Sequence, residues 1–172
     1  MITKALGWIS RALLVVASLL AMSLAFIVVV DVIGRAGFNR PLRGTAEIVA
    51  SSIVVICYLQ VTYAIVSGGM MKVTILTDMM PVRMRELTAA AMSALGLVLF
   101  FVISRGSVDG FMNAWTFGSY EGEGALRVPV WPVRLAVLVG SVLATLAYLR
   151  LTLRHLQGAV RGRVSPEALV DG

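Results

Sequence analysis

Catalysis needs a nucleophile, a base or a metal set, and this chain holds few of those parts. It has one histidine, His155, and one cysteine, Cys57. A haem held between helices takes two axial ligands and a zinc site three or four, so a single imidazole completes neither. His155 lies in a basic patch that follows an apolar run and is read as a cation at the level of lipid headgroups. Cys57 stands alone inside another apolar run, which excludes an intramolecular disulfide and a thiol-pair redox motif. It is read as a small buried apolar side chain. Gln60 and Thr62 are polar exceptions in the same run, better suited to an interhelical hydrogen bond than to holding a substrate. No enzyme is expected, and no cofactor or metal site.

The elements that carry these residues follow from hydropathy. Of the 172 residues, 59% are hydrophobic and only 14% charged, with a mean hydropathy of +0.91. Soluble domains are nearer half apolar and about a quarter charged, so lipid must be the solvent for much of this surface. Four stretches with little or no charge stand out, at about 12–30, 48–66, 87–104 and 130–149. At 1.5 Å per residue the first three span about 27–29 Å, close to the hydrocarbon thickness. The fourth reaches that length only if Val130, Trp131 and Val133 lead into it and Arg134 snorkels. The first stretch exceeds a signal-peptide core and ends without a small-x-small site, so it is expected to stay in the mature protein. The expected fold is all-α and integral to the membrane: four transmembrane helices, with short interfacial helices in the loops. A membrane domain over 1–156 is followed by a polar cytoplasmic tail over 157–172.

Charge sets the orientation. With the N-terminus inside, nine of the fifteen basic residues lie on the cytoplasmic side and six opposite, which favours both termini inside. The net charge of +6 belongs to residues flanking the spans and forms no single basic stripe, so no nucleic-acid partner is expected. The middle of every span lacks Asp, Glu, Lys, Arg and His, the ionisable groups on which a self-sufficient transporter depends. Small residues line parts of three spans instead: Ala17, Ser18, Ala21 and Ala25; Ala90, Ala91, Ala94 and Gly96; Gly140, Ser141 and Ala144. Such faces let helix backbones approach closely, within the chain or against a partner. In the loops, Asp31–Arg35 and Arg43–Glu47 are spaced for helical pairing, with Pro41 and Gly44 between them as interruptions. Val73, Leu76 and Met79 suggest a short interfacial helix ending before Pro81. The stretch from Arg105 to Val128 reads as a loop whose Phe111, Trp115, Phe117 and Tyr120 cap the membrane surface.

The loops also carry a family pattern. RAGFNRPLRGTAE, from Arg35 to Glu47, resembles the stretch R-x-x-F-N-R-P-L-x-G-x-x-E through Arg35, Phe38, Asn39, Arg40, Pro41, Leu42, Gly44 and Glu47. That stretch follows the first span of the small membrane subunit (DctQ-type) of tripartite ATP-independent periplasmic, or TRAP, transporters. Gly69-Met70-Met71-Lys72-Val73 is similar to the family's G-x-H-I-x-V run, and Pro81 with Arg83 and Arg85 to the approach to its third span. Leu126-Arg127-Val128-Pro129-Val130-Trp131 resembles its L-x-I-P-x-W lead-in to the fourth. The likeness runs in order from about Arg11 to Leu149. Met70 stands where the family usually has His, and Thr74 where an Asp often follows, so polar roles at those positions do not carry over.

The resemblance implies a division of labour. A soluble periplasmic protein captures a solute, often an organic anion. A large membrane subunit moves it by an elevator motion driven by an ion gradient, usually of sodium. The small subunit packs against the large one's static scaffold and helps dock the periplasmic protein. The structural and interface residues expected here are Arg35, Pro41, Arg43, Gly44, Glu47, Lys72, Pro129 and Trp131. Arg35, Arg43 and Glu47 would organise the first loop, Pro41 and Gly44 would set its path, and Trp131 would anchor the fourth helix at the interface. The alternative from another class is an independent small membrane factor that assembles or regulates some other complex.

Overall fold

A computed structural model describes residues 2–39, 44–68, 81–121 and 128–161. The described residues form four helices of membrane-spanning length and composition, α1 (Ile2–Phe38), α2 (Thr45–Val66), α3 (Val82–Phe117) and α4 (Trp131–Arg161). A two-residue ladder between α3 and α4 joins β1 (Tyr120–Glu121) to β2 (Val128–Pro129), with Tyr120 opposite Pro129. At 1.5 Å per residue, α2 matches the bilayer while α1 and α3 approach about 55 Å, so those two must tilt or project beyond the hydrocarbon. The interfacial helix expected before Pro81 lies outside the described residues.

The stops are local. Asn39, at φ 51°, follows the end of α1. Gly44, at φ 82°, precedes α2 in the left-handed region that a residue with Cβ enters only at a cost. Extended Pro81 opens α3, and left-handed Gly118 closes it. The expected loop from Arg105 is therefore corrected: α3 continues as helix for thirteen residues past Ser104. Its Gly106 and Gly110 cost helix stability but remove no backbone hydrogen bond, as a proline would, and Ser107 returns its hydroxyl to the Ile103 carbonyl. Likewise α4 runs to Arg161, five residues into the stretch read as tail.

The helices pack as a row, α1–α2–α4–α3, with the fourth helix inserted between the second and third. Burial follows that order, since α4 is the most enclosed of the four and the edge helices α1 and α3 the least. One end of the row is closed by an apolar cluster of Leu6 from α1, Ile65 and Val66 from α2, and Ala144, Ala147, Tyr148 and Leu151 from α4. Leu97 and Phe100 of α3 pack against it.

Small residues decide how closely α4 approaches its neighbours. Gly140, Ser141, Ala144 and Ala147 are buried along it. A Cβ on Gly140 would run into the backbone carbonyl of Tyr58 on α2. Beside it Thr62, fully buried, donates a long 3.4 Å bond to the Gly140 carbonyl, the interhelical role expected of it. The small faces of the edge helices are used only in part. Ala17 and Ala90 are buried, whereas Ser18, Ala25 and Ala91 are exposed. Cys57 is exposed too, which corrects its expected burial. An apolar thiol on a membrane helix is as well accommodated facing outward into lipid as inward.

This geometry predicts that Gly140→Val destabilises the chain by about 1–3 kcal/mol, because the added side chain has a backbone carbonyl in its way. Unfolding titrations in mixed micelles would read the loss. Gly106→Ala, where a Cβ meets nothing within 4 Å, is the control and is expected to be neutral or stabilising.

Candidate functional site

The α3–α4 seam holds the two most enclosed titratable side chains among the described residues. Glu86, one turn into α3, and His155, near the end of α4, are 2% and 3% exposed. His155 Nδ1 stands 2.9 Å from Glu86 Oε2. The two atoms share one hydrogen bond, whose donor is set by the tautomer of the ring and the protonation of the carboxyl group. This corrects the reading of His155 as a headgroup-level cation. The ring is turned into the seam, where its partner comes from the neighbouring helix.

Two turns further along α3 and one turn back along α4, Ser93 and Thr152 meet. Their hydroxyl oxygens are 3.1 Å apart. The single Thr152 proton has two acceptors, Ser93 Oγ and the Tyr148 carbonyl at 2.8 Å, while Ser93 reaches the Ala90 carbonyl. Each group is thus satisfied within the protein, as burial in a low-dielectric surrounding requires. The ring of Tyr148 then lies over Gly96, where a Cβ would sit 2.6 Å from it, and stacks on Phe100 at 5.7 Å.

At the other end the seam is aromatic. Trp115 of α3 meets Trp131 of α4 edge to face at 5.5 Å, and Phe111 joins Trp115 at 6.1 Å. Arg134 stretches across Gly110, with its guanidinium 3.1 Å from where a Cβ would be. The Val130 amide donates to the Ser119 carbonyl and ties the α4 start to the strand pair. Of the aromatics expected to cap the surface, Phe111 and Trp115 enter this cluster from a helix, while Phe117 and Tyr120 are exposed.

The site residues expected from sequence scatter between the two ends. Arg35 donates to Asp31 at 2.8 Å, an intrahelical pair with the carboxylate buried and the guanidinium largely exposed. Glu47 occupies the first turn of α2, where an acid is favoured by the positive end of the helix dipole. Gly44 takes the left-handed turn before it. Pro129 pairs with Tyr120 in the ladder, and Trp131 opens α4 against Trp115. Pro41, Arg43 and Lys72 lie outside the described residues. Glu86 was missed by sequence reading. The available signal was an acid among the basic residues Arg83 and Arg85, on a helix whose neighbour carries the only histidine.

No group of three or more metal-ligating side chains occurs among the described residues. Nη1 of Arg150 is the one buried side-chain nitrogen or oxygen among them without a hydrogen-bond partner. The arrangement is suited to holding helices in place and aligning their ends. A double-mutant cycle of Trp115→Ala and Trp131→Ala is expected to give a coupling of about 0.5–1.5 kcal/mol in unfolding free energy. Additive effects would separate the two rings.

Comparison with known proteins agrees with this arrangement. No curated protein sequence matches the chain. The profile of the DctQ component of tripartite ATP-independent periplasmic transporters matches residues 24–158, which takes in the last part of α1, all of α2 and α3 and most of α4. The chain belongs to that family, and is a multi-pass small membrane component of a TRAP transporter.

Proposed function

We propose that this chain is a scaffold subunit that packs against a large elevator-type membrane subunit and supports ion-gradient-driven uptake of an organic anion. A periplasmic binding protein delivers the anion in this reading, and docks in part on this subunit. The observation that carries it is the row of helices. Along α1, Val15, Leu19, Met22, Phe26 and Val29 are exposed, and along α3 so are Leu95, Val98, Leu99 and Val102. Both edges thus offer runs of apolar side chains to lipid or to a membrane partner. The polar pairs described above lie within α1, between α2 and α4, or between α3 and α4, and each joins helix to helix or turn to turn. A moving part needs a fixed one beside it, and a broad, rigid row resists tilting and local thinning of the bilayer.

In this reading both termini lie in the cytoplasm, which the nine-to-six division of the basic residues supports. The Glu86–His155 end of the seam then faces the cytoplasm and the Trp115–Trp131 end the periplasm. The rival reading, an independent assembly or regulatory factor, needs no large transporter partner, and the family match favours the scaffold.

Gentle detergent capture of the C-terminally tagged chain is expected to recover one large, many-span membrane protein in stoichiometric amount. Recovery of the chain alone, or with an unrelated complex, would remove the scaffold assignment. Glu47→Lys is expected to lower the yield of that complex or the uptake it supports, because it places a positive charge at the positive end of α2 and beside Arg43 in sequence spacing. Normal yield together with normal uptake would take Glu47 out of the interface.

A further inference from the structure

Lipid gives two apolar helices little reason to prefer one alignment over another. Apolar side chains are as well solvated by acyl chains as by each other, so association rests on shape and on polar bonds. In the α3–α4 seam, shape repeats. Ala90 and Ser93 stand three residues apart on α3, and Gly106 and Gly110 four apart. A slip of one turn, about 5.4 Å, exchanges one such residue for the next at those places and meets a shape barrier only where Tyr148 lies over Gly96.

The observed alignment is nonetheless continuous along the whole seam. Glu86 faces His155, Ser93 faces Thr152, Gly96 faces Tyr148, Gly110 faces Arg134 and Trp115 faces Trp131. We propose that the buried Glu86–His155 bond is a register pin, which selects this alignment of α3 and α4 over neighbours one turn away. On α3, the residues one turn from Glu86 on the same face are Val82 and Ala90, neither of which has a side-chain acceptor. A slipped hairpin would leave the carboxylate and the imidazole enclosed without each other, and that directional loss is what shape alone does not impose. Single polar residues buried between helices fix register in this way in coiled coils. The pin acts at one end, and its effect is felt at the other. It sets the height of the aromatic cluster and the strand pair relative to α3, about 40 Å away along the helix. The inference concerns this chain's own helices and does not depend on which partner the scaffold serves.

The test is cysteine cross-linking in the full chain in its own membrane, on a Cys57→Ala background. Arg134→Cys is combined in turn with Gly106→Cys, Gly110→Cys and Ala114→Cys, three positions one turn apart on α3. With Glu86 and His155 present, position 110 is expected to capture the cross-link about tenfold over the other two. Glu86→Leu is expected to spread it to 106 or 114, within about threefold of 110. Glu86→Gln, which keeps an acceptor, and the exchange Glu86→His with His155→Glu should both hold the cross-link at 110. A Glu86→Leu chain that still cross-links only at 110 would overturn the proposal. If that variant fails to accumulate in the membrane, the exchange variant decides, since a merely structural role gives it no reason to restore the alignment. Spreading of its cross-link would overturn the pin as well.

Discussion

In a membrane, apolar contact does not by itself hold helices together, and every feature of this fold answers that constraint. Close approach has to come from small residues, and selectivity from polar groups that find partners in the seam. Helix α4 supplies both. Its Gly140 meets the Tyr58 backbone on α2, and its His155 and Thr152 bond across to Glu86 and Ser93 on α3. Inserted between α2 and α3, it is the spine on which the other helices are arranged, and α1 is attached through α2.

The edges follow from the spine. Since α1 and α3 each pack on one side, most of their long apolar surface is left facing outward. A self-contained bundle would turn such surface inward as far as it can. A row of helices instead extends the membrane footprint, which is what a fixed support for a moving partner requires. The polar groups are consistent with that role, because they sit near the ends of the helices and are engaged in holding them. Asp31 is buried beside Arg35 within α1, and the Glu86–His155 pair closes the opposite end of the α3–α4 hairpin.

Much of this was legible in the sequence. Four apolar stretches of membrane-spanning length translated directly into four helices, because charge near the midplane is too costly to be placed casually. Thr62 was legible as an interhelical donor for the same reason. The continuation of α3 was not. Arg105, Gly106, Asp109 and Gly110 together look like a loop, yet none of them removes a backbone donor, and the helix ends only where Gly118 turns left-handed. The order of the row was also hidden, since nothing in a linear pattern says that the fourth span inserts between the second and third. The Glu86–His155 pair depended on both. The two residues are 69 positions apart, just outside the apolar stretches, and meet only once α3 and α4 are placed side by side in one register. The resemblance carried by Arg35 to Glu47 and by Pro129 to Trp131 identified the family, but not the seam.

On the proposed function, this chain supports transport without conducting it. Uptake of radiolabelled organic anions by bacteria carrying the large membrane subunit and the binding protein, with and without this chain, tests it most directly. Uptake is expected to be lost when the chain is removed, restored when it is supplied, and absent when the chain is expressed by itself. Undiminished uptake without the chain, or uptake by the chain alone, would contradict it.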